Sequence, residues 1–132
     1  MNQRFYLSII LFLLCFSVMS KPSTIKISIG AKAFYATLKE SESVNAFIKQ
    51  LPLTLSMEEL NGNEKYAELK YPLPTQAESI GNIQTGDLLL YGNNVLVLFY
   101  ESFSTPYRYT RIGKVTDTSG LSKALGIGNC QV

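Results

Sequence analysis

The sequence predicts a mainly β fold, a small closed β-barrel carrying one amphipathic helix and one short helix. Three observations predict it. Ile25, Ile27 and Ile29 alternate with Lys26 and Ser28, the two-residue period of a half-buried strand. Turn signals recur at regular intervals, among them Gly30, Asn61-Gly62-Asn63 and Gly92-Asn93-Asn94, as expected of a chain of strands joined by turns. Residues 87–100, DLLLYGNNVLVLFY, are nearly all apolar on either side of their turn, which suits strands buried on both faces.

Taken in order, the chain begins with Arg4 and an apolar run at residues 5–16, followed by the small residues Val18 and Ser20. A charged start, a short apolar core and a small-residue exit make a secretory signal peptide. The run is shorter than the roughly 20 residues that span a bilayer. Cleavage is therefore expected after Ser20, leaving residues 21–132 as one exported domain, periplasmic or extracellular, with no stable insertion in the membrane. Acylation of Cys15 as a lipoprotein is disfavoured by the large Leu14 before it.

Within the domain, residues 24–29 and 33–38 read as a hairpin turned at Gly30. Ser41 is placed to cap a helix whose Val44, Phe47, Ile48 and Leu51 form one apolar stripe, and Pro52 stops it. Residues 53–57 alternate again, with Leu53, Leu55 and Met57 on one face. The Asn61-Gly62-Asn63 turn leads into a short polar run. Pro72 and Pro74 keep their segment extended and out of a sheet centre. Gly81 and Gly86 bracket a loop. Residues 87–91 and 95–100 form the most apolar hairpin, residues 107–115 a last long strand, and Ser119 is placed to cap a short helix at residues 121–125 that Gly126 ends. That makes about seven strands and two helices.

Composition narrows the chemistry. The chain carries 12 basic and 10 acidic residues, and only Arg4 among them lies in the leader. So near-neutral a domain lacks the basic stripe that nucleic acid requires. Histidine is absent, which removes Ser-His and Cys-His dyads and the usual zinc sites. Loss of Cys15 leaves Cys130 alone, so an intrachain disulfide is ruled out and an edge-strand thiol near the terminus is expected. Asn61, Asn63, Glu64 and Tyr66 offer oxygens in a turn, but only one is a carboxylate and the EF-hand spacing is missing. A turn whose asparagines bond their own backbone accounts for them, so neither a metal nor a cofactor is assigned. Glu58 and Glu59 are neighbours and point to opposite faces of a strand, so they make no acid/base pair.

Three stretches carry a family likeness: LPLTLSMEELNGNEKY at residues 51–66, TGDLLLYGNNVLVLFYESF at 85–103 and YRYTRIGKVTDTSGLSKALG at 107–126. Together they resemble the small bacterial cyclophilin-like domain family, and the resemblance implies a pared-down relative of the eight-stranded cyclophilin barrel. More distantly, Ile112-Gly113-Lys114-Val115 looks like the Phe-Gly-Lys-Val segment of the peptidyl-prolyl isomerases. The Phe-His-Arg segment that carries their catalytic arginine has no counterpart here. Tyr109 falls where they place a groove histidine, and Ser104 where many place a tryptophan.

Prolyl isomerisation needs a donor at the amide and an apolar pocket for the ring, against a barrier of roughly 18–20 kcal/mol. Arg111 is the candidate donor, since in an extended strand it shares a face with Tyr107 and Tyr109. Phe99, Phe103, Tyr66 and Asn63 complete a candidate groove with those two tyrosines. The expectation is a binding module for a peptide or small molecule, with weak isomerisation as the alternative.

Overall fold

A computed structural model describes residues 23–126 and 130–131. The leader, its cleavage point and Cys15 lie outside the described residues. The elements are β1 (Ser23–Ile29), β2 (Lys32–Leu38), α1 (Glu42–Ile48), β3 (Ser56–Leu60), β4 (Glu64–Glu68), β5 (Glu78–Ile83), β6 (Asp87–Tyr91), β7 (Val95–Phe99), β8 (Phe103–Val115), α2 (Leu121–Leu125) and β9 (Cys130–Gln131). The mainly β class with two helices is as expected.

The expected closure is not. The strands run β1-β2-β8-β6-β7-β4-β3-β9, with β5 added on β8, so the sheet is a curled half-barrel rather than a closed one. Among the described residues β1 pairs with β2 alone and β9 with β3 alone, and the two end strands do not meet. Closure needs end strands long enough to stagger against each other. Here the would-be strand at residues 53–57 does not form over most of its length: Leu51, Leu53 and Leu55 are half-buried coil packed on the main core, and β3 begins only at Ser56. Those leucines and Phe47 of α1 line a small apolar cavity with Ile25 and Ile27 of β1 and Met57 of β3. Side chains, not ladder hydrogen bonds, fill the seam.

Local chemistry explains most boundaries. The β1–β2 hairpin pairs in full register from Ser23↔Leu38 to Ile29↔Lys32, about a turn whose Gly30 has φ +58°. Ser41 caps α1 by accepting from the Val44 amide at 3.1 Å. Ser119 does not cap α2; the N-cap is Gly120, whose φ of +77° suits glycine. Gly81 does not open a loop either. It sits inside β5, where the pairing with β8 shifts register, because a bulge lets a strand continue past a left-handed glycine. The polar run after Gly62 is a strand too, β4, held between β3 and β7.

The sheet buries both faces. Leu88, Leu90, Leu96, Leu98, Ile112 and their neighbours join α1 and α2 in the main core. On the other face Ile83, Leu89, Val97, Phe99 and Tyr109 form a smaller cluster under β5. Successive residues Leu88, Leu89 and Leu90 thus serve opposite cores, which is why this stretch reads as unbroken apolar sequence.

Candidate functional site

The smaller cluster opens into a cavity of about 300 Å³ lined by Leu60, Glu64, Tyr66, Tyr91, Val95, Val97, Tyr107 and Tyr109. Strand pairing gathers them. Leu60 sits opposite Glu64 and Tyr66 opposite Val97, and Tyr91 opposite Val95, so alternate residues of four strands meet on one face. Tyr107 arrives by a different device. Between Ser79↔Arg108 and Gly81↔Thr105, β8 spends Pro106 and Tyr107 against Ile80 alone. Such a bulge re-aims side chains and tolerates a proline without a donor. The Tyr107 amide is satisfied by Thr105 Oγ1 at 3.2 Å.

The rings pack in a chain. Tyr91 meets Tyr107 edge-on at 6.1 Å and Tyr109 at 5.7 Å. Tyr109 stands perpendicular to Phe99 at 5.7 Å, and Phe99 contacts Phe103 at 5.7 Å. Phe99 and Tyr109 are buried, whereas Tyr91 is 47 % and Tyr107 59 % exposed. Three of the five large apolar side chains left exposed among the described residues, Leu60, Tyr91 and Tyr107, stand at this one cavity. A concentration of that kind departs from the single scattered apolar residues of an ordinary surface.

Glu64 supplies the acidic group. It is only 7 % exposed, and no hydrogen bond or ion pair reaches its carboxyl from the described residues. Burial pushes the carboxyl up to about 7, helped by the charge of Glu59. Burial likewise raises the Tyr109 phenol, and the charge of Glu64 adds to that.

Glu59, one face away, is handled in the opposite manner. Lys65, fully buried, pairs with it at 2.9 Å and donates to the Gly126 carbonyl at 3.1 Å; the Tyr100 hydroxyl donates to the same Glu59 oxygen. Burial alone would raise Glu59, but these bonds outweigh it and hold its carboxyl below the usual range. Tyr100 is pushed upward by its own burial and by that donation. This group ties the β3–β4 hairpin to the end of α2.

Of the residues singled out from sequence, Tyr66, Tyr107 and Tyr109 line the cavity, and Phe99 and Phe103 support it from behind. Asn63 does not line it; its Oδ1 is buried without a hydrogen-bond partner, while its carbonyl accepts from the Tyr100 amide at 3.0 Å. Arg111 lies in a neighbouring cleft of about 540 Å³ with Asn82, Gln84, Asp87 and Lys114. Its Nε donates to Glu78 Oε1 at 2.7 Å, and that bond is the main reason the Glu78 carboxyl lies below its ordinary value. Tyr91 and the cavity role of Glu64 were not foreseen from the sequence. Pairing across the Asn61-Gly62-Asn63 turn was the available signal, since it sets Leu60, Glu64 and Tyr66 on one face.

No curated protein and no solved structure shows a significant match to the chain. A family model does match, over residues 27–132, and its description is cyclophilin-like. That span takes in every strand from the middle of β1 onward, both helices and the whole aromatic cavity. The chain belongs to the cyclophilin-like family.

Proposed function

We propose that this protein is an exported binding module whose site is the tyrosine-lined cavity, taking one side chain of a peptide or a small molecule of similar size. The observation that carries this reading is the exposed rim of Leu60, Tyr91 and Tyr107 over a half-closed aromatic pocket. Pockets of this make-up, mostly apolar with one placed polar group, are the ordinary form of ligand sites. Tyrosine suits the task because it offers large area with few rotatable bonds. A role for Arg111 as an isomerase donor receives less support, since Glu78 engages its guanidinium and it lines a separate cleft.

Exchange NMR of Xaa-Pro peptides with the purified protein tests both readings. The expected result is a shift of the Tyr107 and Tyr109 resonances with no change in the cis/trans exchange rate. Faster exchange that Arg111→Ala abolishes would replace the binding reading with catalysis. If neither peptides nor small apolar probes perturb these tyrosines, the cavity is not a binding site.

A further inference from the structure

The chemistry of the cavity narrows its ligand. We propose that it selects a protonated amine, seating the ammonium against Glu64 among the rings of Tyr66, Tyr91, Tyr107 and Tyr109. This rests on the cavity being the binding site, as above.

A buried ionised carboxylate without a partner is costly, and Glu64 has none among the described residues while lining an open cavity. The titratable groups facing it are the phenols of Tyr66 on β4, Tyr91 on β6 and Tyr107 and Tyr109 on β8, with Glu58 on β3 opposite Tyr66. None is a cation. Lys65, next along β4, points to the other face, where it is fully buried against Glu59 and the Gly126 carbonyl. Among the described residues, nothing positive is supplied to this carboxyl when it ionises. A ligand that brings a positive group satisfies the carboxylate.

The walls agree. An ammonium within about 6 Å of a tyrosine ring gains further attraction, most where water is excluded. An alkyl chain behind it would lie against Val95, Val97 and Leu60. Other ligands fit worse. An anion meets Glu64 as a like charge. A proline ring or neutral alkyl group fills the apolar part but leaves the carboxyl unpaired, and sites discriminate strongly against ligands that do so. A divalent metal would find one carboxylate only, far short of the ligand set that calcium requires.

The test uses three probes of one size, n-butylammonium, n-butanol and butyrate, titrated into the purified protein at pH 8.5 with Tyr109 and Glu64 followed by NMR. Butylammonium is expected to bind at least tenfold more tightly than butanol, and butyrate not to bind. Glu64→Gln is expected to abolish the tenfold preference, and a cooperative urea transition together with a wild-type pattern of backbone NMR resonances away from the cavity shows that the variant is folded. Lowering the pH to 5.5 is expected to shrink the preference in the wild type alone, because Glu64 then holds its own proton. A lysine-containing peptide that outcompetes butylammonium identifies the amine as a side chain; equal competition identifies a small free amine, and either supports the proposal. Equal binding of butylammonium and butanol would overturn it and leave the cavity as an apolar site. No response to any probe would overturn both readings.

Discussion

Two glutamates on neighbouring strands show how placement decides chemistry. Glu59 has Lys65 and Tyr100 and keeps its charge readily. Glu64, on the opposite face, has a wall of tyrosines and resists ionisation. The sign of its effect on stability follows from linkage. Its carboxyl titrates near 4.5 when unfolded and at about 7 when folded, so the folded state holds the proton more tightly. Any advantage is complete below pH 4.5, fades as pH rises towards 7, and is gone above it. Glu64→Gln removes this penalty. Relative to the wild type it is expected to raise stability at pH 8 by roughly 1–3 kcal/mol, since a tenfold difference in proton affinity between the two states is worth about 1.4 kcal/mol, and to change little at pH 4. Urea midpoints of both proteins at the two pH values measure this. A variant no more stable than wild type at pH 8 would mean the carboxylate is already satisfied in the fold. The strain also bears on binding, since an ammonium that pairs with Glu64 recovers the same energy.

At the scale of elements, β8 organises the molecule, and two register shifts along it decide what each stretch faces. The shift at Pro106 and Tyr107 brings Tyr107 to the cavity rim. The second, where Leu88 pairs with Gly113 and Leu89 with Arg111, leaves Ile112 as the extra residue, buried in the main core. Only three register pairs, Ala36↔Val115, Thr37↔Lys114 and Leu38↔Gly113, join the first hairpin to the sheet, and they depend on a close approach. A Cβ at Gly113 would lie 2.5 Å from the Thr37 carbonyl oxygen and 2.8 Å from Leu38 Cδ2. Gly113→Ala must therefore push β2 off β8, at an expected cost of about 1–3 kcal/mol in a denaturation curve. A neutral result would mean that the hairpin shifts freely against β8. Bulges also set the limits of what the sequence disclosed. The hairpin at Gly30 was legible because β1 keeps a clean two-residue period, and the one at Gly92 because an unbroken apolar run flanks its turn on both sides. β5 was not, since its inward residues Ile80 and Ile83 stand three apart across the left-handed Gly81, where the pairing with β8 shifts register. β4 hid behind the buried polar pair Glu64 and Lys65, which no hydropathy pattern marks as interior. Tyr107 and Tyr109 were legible as next-but-one neighbours on a strand. The capture of Arg111 by Glu78 was not, because it depends on the pairing of β5 with β8.

At the scale of the whole molecule, the open sheet replaces the closed barrel that strand count alone suggested. Leu51, Leu53 and Leu55 occupy the seam as coil, so the main core is sealed by side chains without end-to-end strand pairing. Among the described residues both ends of such a sheet offer unpaired backbone, and β1 bears the exposed Lys26, the kind of residue that discourages association at an edge. This arrangement bears on the proposed export. Ser23 and Thr24 at the start of β1 are exposed, and the first buried side chain among the described residues is Ile27. Cleavage after Ser20 would leave the whole β1–β2 register intact, from Ser23↔Leu38 onward, and the fold would lose none of its described packing. The expectation is that the protein recovered from outside the cytoplasm begins at Lys21, measured by intact mass and N-terminal sequencing. It should unfold in one transition, because β6, β7 and β8 carry residues of both cores. Recovery of a chain still starting at Met1 from the cytoplasmic fraction would defeat the export reading, and the amine proposed for the aromatic cavity would then have to be one found inside the cell.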